Sequence, residues 1–143
     1  MAAISMQSLH DKLDDLYAVW QTLDASSPPE AFANFARAFF ARDCTVWLAS
    51  PDFGGWPIRG RGRDLQREIR AAARDMPMRG RRVDRRTDCT CRRGVGEEAE
   101  TCYLVDGRVY HHTEKVEVHY NDDGLITEFK QCYSYAPVIT SDP

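Results

Sequence analysis

Glu114 raises the first chemical question in this sequence. Across 108–121, Val116 and Val118 mark one face of an alternating segment as the inner one. Tyr110, His112, Glu114 and Tyr120 share that face. Val109, His111, Thr113, Lys115, Glu117 and His119 share the other. A carboxylate turned inward is costly unless it is hydrogen-bonded or neutralised. Apolar surroundings disfavour its charged form, which prepares the group for proton transfer near neutral pH. The alternative role for Glu114 is structural, as the partner of a core-edge arginine such as Arg85. In 125–136 the apolar face holds Phe129, Gln131, Tyr133 and Tyr135, so Gln131 comes inward with it. Phenols and amides can donate to a developing oxyanion. The expected catalytic set is therefore Glu114, Tyr110 and Gln131. His112, Tyr133, Phe129, Trp47, Tyr17, Phe53 and Trp56 are the substrate-binding candidates. The simpler reading of His112 is a packed strand histidine, and that of Tyr17 and Trp47 is core aromatics.

These residues need strands to align them and helices to cover them. Leu9, Leu13, Leu16, Tyr17 and Trp20 recur at helical spacing after Ser8. Ser27-Pro28-Pro29-Glu30 opens a second helix, with Phe32, Phe35, Ala36, Phe39 and Phe40 as its apolar stripe. A strand is expected over 44–49, followed by a Gly/Pro-rich loop over 50–62. Phe53 and Trp56 lie in that loop, placed either to cover a cavity mouth or to pack beneath it. Asp64 can cap a third helix with Leu65, Ile69, Ala72, Ala73 and Met76 facing inward, and Met76-Pro77 ends it. Turn signals at Gly94-Val95-Gly96, Asp106-Gly107 and Asp123-Gly124 divide the remainder into strands over 80–93, 97–106, 108–121 and 125–136. Ile126 falls on the wrong face of the last strand, which calls for a bulge near its turn. Residues 139–143 read as a loose tail. The expectation is one α+β domain over 1–143, its helices packed on one face of an antiparallel sheet.

Composition narrows the function classes. The chain has 143 residues, 43% apolar and 29% charged, which suits one domain with its own core. No run of eighteen apolar residues occurs, so no membrane span is expected. The start lacks a basic segment followed by an apolar block, so a cytoplasmic location is expected. Residues 59–93 hold thirteen of the nineteen basic residues, all arginine, with five acids among them. Almost no aromatics intervene to stack on bases, so these arginines are read as solvated faces pairing with acids rather than as a nucleic-acid surface. Nucleic-acid binding through them would weaken steeply with salt. Five cysteines are present, Cys44, Cys89, Cys91, Cys102 and Cys132. No C-x-x-C pair or supporting histidine cluster occurs, so they read as reduced, half-buried thiols, and no metal is expected. No nucleotide or phosphate fingerprint occurs, so no cofactor is expected either.

The order of elements resembles the nuclear-transport-factor-2-like superfamily over nearly the whole chain. The resemblance rests on Phe39-Phe40-Ala41-Arg42-Asp43-Cys44-Thr45-Val46, on Ile58-Arg59-Gly60 and on Asp122-Asp123-Gly124-Leu125-Ile126-Thr127-Glu128-Phe129. It implies a cone-shaped fold, three N-terminal helices packed on a curved antiparallel sheet around a deep pocket. Within the superfamily the chain is most similar to SnoaL-like enzymes of natural-product biosynthesis, which work without cofactors. That likeness implies an acid on the penultimate strand, where His112-Thr113-Glu114-Lys115-Val116 places Glu114. It also implies an acid at Gln131 and an Asp near Ser134, and this chain departs from both. One acid with amide and phenol donors suits a rearrangement or ring closure better than epoxide hydrolysis. The resulting expectation is an isomerase or cyclase acting on a polyketide, terpenoid or alkaloid intermediate. The alternative is a ligand-binding or dimerisation module without chemistry, since fold alone does not fix function. The open face with His111, Thr113 and His119 suits a homodimer.

Overall fold

The computed structural model describes residues 6–48, 57–89, 93–133 and 138–140. Phe53, Trp56, Cys91, Ser134 and Tyr135 lie outside them. Three helices, α1 (Met6–Trp20), α2 (Pro29–Phe39) and α3 (Arg63–Asp75), accompany seven strands. The strands are β1 (Phe40–Trp47), β2 (Ile58–Arg59), β3 (Met78–Cys89), β4 (Gly94–Val105), β5 (Arg108–Tyr120), β6 (Ile126–Tyr133) and β7 (Val138–Thr140). Two helices, an eight-residue strand and a two-residue strand thus precede α3. The sheet runs β2-β1-β6-β5-β4-β3, with β7 added beside β5. It is mixed rather than wholly antiparallel, because β1 pairs with β6 in parallel.

The element ends correct several sequence expectations. Ser27 does not cap α2: its hydroxyl accepts from the Asp24 backbone in the preceding turn, and the helix starts on Pro29 after an extended Pro28. Phe40, expected on α2, already has extended backbone and starts β1. Asp64 does not cap α3 either; Gly62 is the cap residue, and Asp64 pairs with Arg67 in the first turn. Gly94, Val95 and Gly96 belong to β4 and make no turn. Part of the expected tail pairs as β7, with Val109 opposite Thr140. The Asp106-Gly107 turn holds as expected: both residues have positive φ, 51° and 77°, as a tight hairpin requires. The bulge expected near Ile126 is present. His119 pairs with Glu128 but Tyr120 with Ile126, and the extra residue turns Ile126 into the core at 1% exposure.

One sheet face is covered by helices: α1 packs on β3 and β4, and α2 on β1 and α3. The core between them holds Leu9, Leu13, Phe32, Leu65, Ile69, Val46, Val95 and Val118. The expected inner face of β5 is the buried one from His112 through Glu114, Val116 and Val118 to Tyr120. The opposite face is a ladder of charged side chains. Several of the arginines of 59–93 pair with acids, among them Arg82 with Asp84 and Glu100, Arg86 with Asp14, and Arg93 with Asp122. None of the helices among the described residues is long and apolar enough to cross a membrane.

Candidate active site

Three neighbouring strands bring the polar cluster together. Register sets Glu114 opposite Ala99 on β4 and opposite Tyr133 on β6. Gln131 lies two residues before Tyr133, so its side chain shares the inner face with Glu114. Glu114 is only 3% exposed. The Tyr103 phenol on β4 donates a short hydrogen bond to its Oε1. Gln131 Nε2 donates to its Oε2 at 2.9 Å and lies 3.5 Å from the Tyr17 hydroxyl. All these partners are neutral, and Arg85, the arginine considered from sequence, is exposed on β3. Burial raises the Glu114 carboxyl above its ordinary value, while hydrogen bonds from Tyr103, Thr101 and Gln131 and the more distant charge of Arg81 act the other way. Burial, followed by the nearby Glu114 charge, also raises the Tyr103 phenol, so it stays a donor.

A cavity of about 60 Å³ opens onto this cluster, lined among others by Trp20, Leu48, Met76, His112, Tyr133 and Glu114. A second of about 20 Å³ shares Trp20, Leu48 and Gln131 with it and is lined by Tyr17 and Phe129. The His112 ring is stacked edge-on between Tyr103 and Tyr133, with centroids 5.7 and 5.0 Å away. Glu114, Gln131, His112, Tyr133, Tyr17 and Phe129 thus surround one region, as the alternation of their strands and helix requires.

Two expected positions differ. Tyr110 is half-buried and does not line the cavity. By register, Tyr103 and Tyr110 face each other and stand equally far along the strands from Glu114, and it is Tyr103 whose ring turns toward the carboxylate. Pairing the strands about the Asp106-Gly107 turn would have set Tyr103 opposite Tyr110 and made it a candidate, without choosing between the two. Trp47 points the other way, because the fully buried Val46 beside it faces in. Its ring lies under Lys130 Nζ, 5.3 Å from the centroid, on the open face of β6. Trp20, Leu48 and Met76 join the lining without having been singled out; each is an ordinary apolar position in sequence.

A second polar cluster backs the first. Glu97, on the inner face of β4, accepts from Arg81 at 2.9 Å and from Arg86 at 3.2 Å, and meets His10 Nδ1 at 3.0 Å. The Arg81 guanidinium lies over the Tyr17 ring, 3.8 Å from its centroid, a cation–π contact. Tyr17 therefore joins the two clusters, with Glu114 and Gln131 on the cavity side and Arg81 and Glu97 behind.

No family model matches the chain, and no curated protein matches it by sequence. Its fold has solved counterparts. An NTF2-like protein from Anabaena variabilis is similar with a TM-score of 0.64, at 14% identity over 95% of this chain and 96% of that one. The chain has the nuclear-transport-factor-2-like fold. Two enzymes share that fold at similar distance. SalBIII, described as an epoxide hydrolase/cyclase-like enzyme of pyran ring formation in the polyether salinomycin, has a TM-score of 0.70, at 9% identity over 90% of this chain and 92% of that one. An LEH-like epoxide hydrolase from M. tuberculosis has a TM-score of 0.64, at 15% identity over 88% and 82%. Epoxide hydrolase and cyclase-like enzymes thus occur on this fold, and in this chain its helix-covered sheet face carries the Glu114 cluster.

Proposed function

We propose that this protein is a cofactor-independent isomerase or cyclase in which Glu114 moves a proton on a small organic molecule. The observation that carries this reading is a buried carboxylate with only neutral donors, lining a cavity. Ionised, Glu114 would take a proton from a carbon beside a carbonyl, or from a hydroxyl closing onto an electrophilic carbon. Protonated, it would return that proton to the rearranged product. Tyr103 and Gln131 hold the carboxylate in place through separate oxygens. Tyr133 and His112, on the same wall, are the polar groups for the substrate's carbonyl or hydroxyl oxygen.

A two-acid epoxide hydrolysis fits less well. Gln131 stands beside Glu114 where a second acid would be needed, and the buried Glu97 is occupied by Arg81, Arg86 and His10. A rearrangement or ring closure needs one proton carrier and fits better. The likeness of fold to SalBIII supports ring-closing chemistry, and a polyketide, terpenoid or alkaloid intermediate is the substrate class we infer. Pockets for molecules of that size span about 300–1,000 Å³. Joining the two cavities by moving Trp20 and Leu48, which both share, would still fall well short of that, so such a substrate would require the rest of the lining to open as well.

A thermal-shift screen against small polycyclic ketones, epoxides and alcohols tests this. A ligand at about a hundred times its Kd stabilises by roughly 2.7 kcal/mol. One chemical class should shift the wild type, with altered responses in Glu114→Gln and Gln131→Ala. A ligand bound equally by all three proteins would favour a binding module without chemistry. No binding across the panel would contradict the pocket itself.

A further inference from the structure

The sheet face away from the helices gathers three side chains of different donor chemistry. Cys102 on β4 stands directly opposite His111 on β5, which puts their Cβ atoms about 4.5–5.5 Å apart. Glu100 precedes Cys102 by two residues and so shares its face. Cys102 Sγ is 3.1 Å from His111 Nδ1, and Glu100 Oε1 is 3.3 Å from the same nitrogen. All three atoms lie within 4.8 Å of one another.

Within the trio, Nδ1 can serve only one of its two neighbours well by hydrogen bonding. Nδ1 carries one proton or one lone pair. If it accepts from the thiol, the carboxylate gains nothing from it; if it donates to the carboxylate, the thiol faces an N–H. A cation between the three would use every donor atom at once. The carboxylate is also oriented for that use. Its other oxygen, Oε2, accepts from Arg82 Nη2 at 2.9 Å, and Arg82 Nε is in turn held by Asp84 at 3.0 Å. Outer partners of this kind aim metal ligands.

We propose that Glu100, Cys102 and His111 bind a divalent transition-metal ion of the zinc type. Thiolate, imidazole and carboxylate together suit a borderline-soft ion, with water completing a tetrahedron. At metal–ligand lengths of about 2.0–2.3 Å, tetrahedral donors lie roughly 3.3–3.8 Å apart, so the spacings of Cys102 and Glu100 from His111 Nδ1, 3.1 and 3.3 Å, need to open by no more than about half an ångström. The thiol gives up its proton on binding. Half-burial leaves a route in, since the His111 side chain is 28% exposed and that of Glu100 40%. The local spacing of the cysteines carried no such signal, because the histidine comes from the neighbouring strand. The site lies on the opposite face of β4 and β5 from Glu114 and does not rest on the proposed activity.

The test is a Co²⁺ titration of the full chain, freed of metal by chelation and with its thiols reduced, followed by absorption. One equivalent should give a thiolate-to-cobalt charge-transfer band and tetrahedral d–d bands, both displaced by Zn²⁺. Cys102→Ser should abolish the charge-transfer band, and His111→Ala, which removes a direct ligand, should weaken binding by more than the roughly tenfold that loss of an outer partner costs. Both variants should melt like the wild type without metal, and Glu114→Gln should bind Co²⁺ unchanged. No uptake under excess Co²⁺, or weak bands without charge transfer, would overturn the proposal. So would a full-strength band in Cys102→Ser, which would assign the ion to other thiols.

Discussion

At the scale of single residues, Glu114 decides most. Its carboxyl is raised by burial, so the native state keeps a proton that the unfolded chain has already released. Stability linked to this group is therefore greatest below about pH 4, the ordinary carboxylate range, and falls as pH rises toward the native-state value. Glu114→Gln removes that dependence. Urea unfolding across pH should show the variant gaining on the wild type as pH rises and losing the advantage in acid. Under the proposed function the same change should lower activity about 10²–10⁴-fold, the usual contribution of a positioned proton carrier. Tyr103→Phe and Gln131→Ala each remove a hydrogen bond that lowers the Glu114 carboxyl. If ionised Glu114 is the base, the rising limb of kcat/KM against pH should move upward in both variants. An unmoved limb would assign the titration to another group.

At the scale of elements, legibility followed periodicity and failed where geometry depends on distant pairing. Val116 and Val118 were enough to turn Glu114 and His112 inward, because the strand period is two. Phe129 brought Gln131 inward by the same rule, and the misplaced Ile126 announced its bulge. Tyr103 was missed because choosing between two tyrosines across one turn requires knowing which ring leans along the strand. Trp47 was misplaced because its side of β1 is fixed by the small buried neighbours Cys44 and Val46, which turn inward and leave Trp47 on the other face. The parallel contact of β1 with β6 joins segments far apart in sequence, and no local pattern encodes it. The Glu97 cluster holds α1 to β3 and β4 through His10, Arg81 and Arg86. Glu97→Ala would leave the Arg81 side chain, 5% exposed, without its counter-charge. Breaking a buried pair in this way costs about 3–5 kcal/mol, and chemical denaturation should show a loss of that size. A loss below about 1 kcal/mol would mean that water reaches Arg81.

At the scale of the whole molecule, two faces of one sheet do different work. The helix-covered face is apolar with one polar cluster let into it, while the open face is charged. Val19, on α1, is the exposed large apolar residue among those described, and charged side chains dominate the described part of the open face. A homodimer formed through that face would rest on charged side chains such as Lys115, Glu98, Lys130 and Glu117, which pair with one another within the chain and whose attraction across an interface salt screens. Light scattering should then show dimers at low ionic strength giving way to monomers as salt is raised. A dimer insensitive to salt would place the interface elsewhere. The central claim is that a buried carboxylate on the covered face moves a proton on a bound molecule. The most direct test is to incubate the protein in D₂O with the ketones that stabilise it and follow deuterium entry beside the carbonyl by NMR. Catalysed exchange in the wild type that is lost in Glu114→Gln is the predicted result. Equal exchange in both proteins, or none with any ketone that binds, would contradict it.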